Sequence, residues 1–192
     1  ALDAVDRALA ACGENETIRQ KAGEAVNHIE RNEDFITAWA FSGPYTREKH
    51  GGGALFDVAF DPEADAEDIA WREMPDEASS EPGIYDLNKI VSGSNCCGYV
   101  MTIIESDRKQ EVRLEMGSDD GLKVWLNGAV VHANNVMRGL SVGSDTAIAT
   151  LQKGANTLLL KITQGGGDWK VCCRIRSVDG FPLEGVSFRT PQ

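Results

Sequence analysis

Residues 117–132 read GSDDGLKVWLNGAVVH, and this stretch decides the fold. Leu122, Val124 and Leu126 alternate with Lys123, Trp125 and Asn127. A side-chain period of two puts the first set on one face and the second on the other, which is a half-buried strand. Asn127-Gly128 then supplies the dipeptide that closes a tight turn. Upstream, Asp119 and Asp120 stand side by side before Gly121. Two adjacent carboxylates repel each other, so they either hold a cation and a ligand or make a polar turn. In the turn reading the Asp side chains cap backbone N–H groups and the glycine takes a positive φ.

The same texture extends in both directions. In CCGYVMTIIES (96–106) Cys97, Tyr99, Met101 and Ile103 share a face, and in QEVRLEMGS (110–118) Val112, Leu114 and Met116 alternate with Glu111, Arg113 and Glu115. DTAIATL (145–151), NTLLLKITQ (156–164) and WKVCCRIRSVD (169–179) continue the series, with FITAWAFSGPY (35–45) as an opening strand and turn. Between them, REKHGGGALFDVAF (47–60) is a Gly-rich loop feeding an apolar run. Short strands separated by turn signals, with no helical pattern among them, predict an antiparallel β-sandwich, most economically a jelly roll.

Residues 1–33 differ. Leu2, Val5 and Leu9, then Ile18, Ala22, Val26 and Ile29, recur at helical spacing around a break at CGENET (12–17). A helical pair is expected there, as an appendage or the end of a helical repeat region, with the sandwich occupying 34–192. The opening ALDAVDRALAAC reads as mid-helix without an initiating Met. The chain is therefore expected to be one module of a longer protein, and its localisation is not readable from its first residues.

Nineteen basic against thirty acidic residues give a net charge of −11. That balance argues against nucleic acid and against an anionic membrane surface, and it suits a neutral ligand such as a sugar, or a cation. No apolar run approaches the roughly 18 residues of a membrane span. Cys12 stands alone, and Cys96-Cys97 and Cys172-Cys173 form two doublets. Strand alternation sends one Cys of each doublet into the core, so buried thiols are expected. A disulfide between the doublets or a four-thiolate metal site is the rival arrangement, although C-C lacks the spacing of structural zinc sites.

The series GSDDGLKVWLNGAVVH followed by LQKGANTLLLKITQGGGDW (151–169) resembles two groups of accessory β-sandwiches. One is the sugar-binding jelly roll found beside glycoside hydrolase catalytic domains, with its V-W-L-N-G strand. The other is the protective-antigen N-terminal-type domain, with S-D-D-G, an apolar strand and N-G. The resemblance spans about 36–180. It implies a non-catalytic carbohydrate-binding module of a multidomain bacterial protein, secreted or periplasmic, working beside other domains of its chain. A structural or protein-interaction spacer on the same scaffold is the alternative. In sugar-binding members the paired aspartates chelate calcium, which coordinates sugar hydroxyls, and Asp119 and Asp120 fall on that position. Two hard oxygens suit Ca²⁺, and the ion relieves their repulsion.

The expected ligand surface is the loop set carrying Asp119-Asp120, Asn134-Asn135 and Gly165 to Trp169, including Asp168. A sugar also needs a flat ring for its C–H face. Trp169, after the Gly-rich 164–168 loop, is expected to be exposed, whereas Trp125 either meets a ligand or packs on the helical appendage or second sheet. Trp39 and Trp71 are expected to be buried anchors. Catalysis has little support: His28, His50 and His132 are scattered, no nucleophile-elbow or zinc-helix motif occurs, and Gly165-Gly166-Gly167 does not open a helix.

Overall fold

The computed structural model describes Thr17, Gln20, Lys21, 34–64 and 68–191. The helical pair expected at 1–33 lies outside these residues, apart from the three named, which are helical. The chain divides into two units, and the second, Asp34–Gln192, carries all that follows.

Twelve strands are present among the described residues: β1 (Ala40–Tyr45), β2 (Arg72–Glu73), β3 (Ser79–Glu81), β4 (Ile84–Asp86), β5 (Cys96–Ser106), β6 (Gln110–Ser118), β7 (Leu122–Leu126), β8 (Ala129–Asn134), β9 (Asp145–Leu151), β10 (Gly154–Gln164), β11 (Lys170–Arg176) and β12 (Val186–Arg189). They form two antiparallel sheets, one ordered β2-β1-β5-β10-β7-β8 with β12 also on β5, the other β3-β4-β11-β6-β9. This is the antiparallel sandwich that the alternating pattern predicts.

The core lies between the sheets. Leu122, Val124 and Leu126 meet Val112, Leu114 and Met116 there, together with Leu158, Leu160 and Ile162 from β10. The β7–β8 hairpin has Leu126 paired with Ala129 and two residues between, both with positive φ, Asn127 at 51° and Gly128 at 79°. That is the two-residue turn for which Asn-Gly is preferred. Trp39 and Ile36 enter the core ahead of β1, as expected for Trp39. Trp71 is only half-buried and packs on a smaller outer cluster.

That outer cluster covers the far face of the seven-stranded sheet. Leu55, Cys97, Tyr99, Trp125 and Leu159 form it, with Val58 and Phe60 packed against them. The covering segment runs from Gly51 to Glu63 and includes the 3-10 helix Gly52–Asp57. The shared face of Cys97, Tyr99 and Met101 is therefore the one beneath this strap, and Cys96, Val100 and Ile104 face the main core. Lys161 sits under the strap, fully buried. Its Nζ donates to the carbonyls of Phe56 (3.2 Å) and Val58 (2.6 Å) and to Glu63 Oε1 (2.7 Å). Tyr99 Oη donates to the same carboxylate oxygen. A buried ammonium is tolerated only when its charge and donors are matched in this way.

Each cysteine doublet straddles a sheet. Cys96 and Cys173 face the main core, Cys97 lies under the strap, and Cys172 lies beside Gly117 and the loop carbonyl of Ser141. All four are buried free thiols. The residue of each pair turned away from the core is thus buried too, because a loop crosses over it.

Candidate functional site

Three connections pass from one sheet to the other at the same end of the sandwich. Residues 119–121 join β6 to β7, 135–144 join β8 to β9, and 165–169 join β10 to β11. Asp120 fastens them together. Its N–H donates to Arg138 O (2.9 Å), its Oδ1 accepts from Arg138 N (3.2 Å), and its Oδ2 accepts from Gly165 N (2.7 Å). Asp120 takes φ of 59°, so the left-handed position falls on the aspartate and not on Gly121. Gly121 is required for space: a Cβ there would lie 2.7 Å from Thr163 Oγ1 and 3.1 Å from Phe56.

Asp119 is anchored through its backbone, N–H to Lys170 O at 2.8 Å. Its carboxyl is pushed up to about 6 by burial, then by the neighbouring charges of Asp120 and Asp168, against the opposing pull of Lys170 and a backbone N–H of Leu140. Ionising it at neutral pH therefore works against its surroundings. Asp168 is exposed and paired with Lys170 Nζ at 2.6 Å.

The remaining expected residues separate by role. Asn135 donates to Gly53 O (3.1 Å), which ties the 135–144 loop to the Gly-rich strap. Asn134 is spent on Asp145 Oδ1 (2.9 Å), which also meets His132 Nε2 (2.9 Å), while Asp145 Oδ2 accepts from Arg138 Nη2. Burial opposes ionisation of Asp145, but the hydrogen bonds from Arg138 and Asn134 and the charges of Arg138 and His132 hold its carboxyl below the usual range. This network fixes Arg138, whose Nη2 also reaches Ser118 Oγ (3.1 Å), and Ser118 Oγ donates to Asp120 O. His132 is hydrogen-bonded to no serine or cysteine among the described residues, so no nucleophile is assembled on it.

Trp169 corrects an expectation. It is fully buried, edge-on to Phe41 at a ring separation of 6.2 Å, and leaves no room for a Cβ on Gly98. Its parity explains this, because Trp169, Val171, Cys173 and Ile175 all point into the main core. Trp125 is also mostly covered, by the strap and not by the second sheet; the appendage expected as its alternative cover lies outside the described residues. Sequence reasoning missed Lys161, Glu63 and Arg138. A lysine in the inward-reading run LLLKIT was the available signal for the first.

Asp120 also lines an open cavity of about 220 Å³, with Gly51 to Ala54, Asn95, Met137, Thr163 and Gly165 around it. For a cation, Asp119 and Asp120 offer hard oxygens in a field that favours positive charge. Among the described residues no third His, Cys, Asp or Glu completes a metal-binding group with them. The pair thus fits a divalent ion only with backbone carbonyls, water or ligand hydroxyls filling its other positions.

No family model matches this chain, and no curated protein matches it. Solved structures do resemble it. The anti-sigma factor domain-containing protein from Clostridium clariflavum is 11% identical with a TM-score of 0.48, and the likeness covers 82% of this chain and 48% of that one. The PA14 sugar-binding domain from an RTX adhesin is 18% identical with a TM-score of 0.43, covering 86% and 82%. The PA14 domain of the MpAFP antifreeze protein is 15% identical with a TM-score of 0.41, covering 82% and 75%. The chain spans under half the length of the first of these.

Proposed function

We propose that this sandwich is a non-catalytic carbohydrate-binding-type module, working outside the cytoplasm as part of a multidomain protein, with its ligand surface at the crossover end. The observation that supports it is the convergence of three sheet crossings on Asp120 beside a cavity, with the Asp119 carboxylate crowded next to it and only partly offset by Lys170 and the Leu140 N–H. A rigidly stapled loop end carrying adjacent carboxylates suits ligands rich in hydroxyls, which can donate to them. Calcium is part of the proposal. Asp119 and Asp120 would hold it, and its few protein ligands would leave positions for a sugar diol.

The test is retention on a polysaccharide panel with calcium and with chelator, for the native chain and for Asp119→Asn, which preserves shape while removing the charge. Calcium-dependent retention lost in the variant supports the reading. Absence of retention on every polysaccharide, with calcium present, overturns it in favour of a structural spacer. The commitment of both Asp120 oxygens to backbone N–H groups is the observation on that rival's side.

A further inference from the structure

A second cavity lies on the outer face of the seven-stranded sheet, beside the strap. Strand register sets Trp125 opposite Leu159 and Leu159 opposite Met101. Three neighbouring strands thus present one apolar row, roughly 10 Å across at the usual strand spacing. With Pro62, Glu63, Asn127, Gly128 and Thr157 this row lines a cavity of about 270 Å³.

The polar groups around it are mostly spent. Asn127 donates to Asn156 Oδ1 (2.9 Å) and accepts from Thr157 N (2.9 Å). Glu63 Oε1 is taken by Lys161 and Tyr99. Glu63 Oε2 and the Thr157 hydroxyl carry no hydrogen bond among the described residues. The Lys161 ammonium balances the Glu63 charge, so the cavity holds no net demand for a cation.

We propose that this cavity binds a neutral, planar aromatic ring bearing a hydroxyl group. The ring lies on the Trp125–Leu159–Met101 row, and its O–H donates to Glu63 Oε2. Aromatic rings pair well with an indole and with a thioether such as that of Met101. A sugar would bury several hydroxyls against partners for only two, and each hydroxyl left buried and unpaired weakens binding. A quaternary ammonium would find its counter-charge already cancelled.

The probe is 2-naphthol, titrated into the ¹⁵N-labelled protein while the indole N–H signal of Trp125 is followed. Saturable binding at one site is expected, weakened at least about tenfold when naphthalene replaces the naphthol and at least about tenfold by Thr157→Trp. That substitution fills the mouth from an exposed strand position and touches no core residue. A Trp125 signal that does not move up to the solubility limit overturns the proposal, as does equal affinity for naphthalene or indifference to Thr157→Trp. Displacement of 2-naphthol by methyl β-glucoside would assign the cavity to sugars and overturn it as well. Binding of 2-naphthol by a chain that retains no polysaccharide would support it independently of the crossover-end reading.

Discussion

Replacing Lys161 by Met tests how the strap is held. Methionine keeps the stem's volume against Phe60 and Tyr99, whose rings lie 5.4 and 5.6 Å from the ammonium, but it removes the charge. Three acceptors then lose the ammonium beneath the strap: Phe56 O, Val58 O and Glu63 Oε1, the last keeping only Tyr99 Oη. The Glu63 side chain is only 12% exposed, so its carboxylate keeps the Tyr99 hydroxyl but is left largely buried without a counter-charge. Removing one partner of such a pair costs about 3–5 kcal/mol. For a unit of this size that corresponds to a fall in Tm of roughly 6–20 °C. Urea unfolding measures the free energy, and alkylation of Cys97, which the strap shields, reports whether the strap itself has lifted. Adding Glu63→Gln should recover about half of the loss, because a neutral amide still accepts from Tyr99 without leaving a charge behind. A loss below about 1 kcal/mol in the single variant, or a double variant less stable than the single, would refute the latch.

The Asp119 carboxyl stands at about 6 in the folded protein against 3.8 for the free group. Its contribution is therefore complete below pH 3.8 and is lost as pH rises to 6. Asp119→Asn should then stabilise the protein by roughly 1–3 kcal/mol at pH 8 and change little at pH 4, as compared by thermal unfolding at the two pH values. Burial pushes the Cys96 thiol up to about 11, the Cys97 and Cys172 thiols to about 12, and Cys173 higher still. These four should resist iodoacetamide at pH 8 in the native protein and react once it unfolds, so mass spectrometry finding any of them alkylated natively would contradict their burial. At Gly52 a Cβ would lie 2.3 Å from Gln164 O. Gly52→Ala should cost about 1–3 kcal/mol in urea unfolding, whereas Gly53→Ala, whose Cβ meets only Asn135 Oδ1 at 3.8 Å, should be nearly neutral.

The sheets were legible because each long strand repeats its apolar residues at period two over many residues, and Asn127-Gly128 admits few backbone solutions. The crossover end was half legible. SDDG marked a turn, yet nothing local says that Asp120 would fasten two distant loops, since Arg138 and Gly165 come near only when the sheets stack. Trp169 shows the opposite failure: the glycines ahead of it suggested an exposed tip, while the period it shares with Val171, Cys173 and Ile175 already pointed inward. The strap was hidden because its 3-10 helix depends on a tertiary partner, Lys161, a hundred residues downstream.

The two flanks of β5 are unequal. Along one, β10 pairs with every residue from Cys96 to Ser106. Along the other, β12 runs beside β5 until Arg189 stands opposite Ile103, and β1 resumes with Ala40 opposite Met101, both in the same direction. Among the described residues β12 and β1 thus lie end to end as one strand cut in two, and the gap falls opposite Thr102, whose Oγ1 donates to the Arg189 carbonyl at 3.2 Å. The backbone path is a ring interrupted at one residue. A single linking residue there would close it, at the expense of the lead that carries Ile36 and Trp39 into the core.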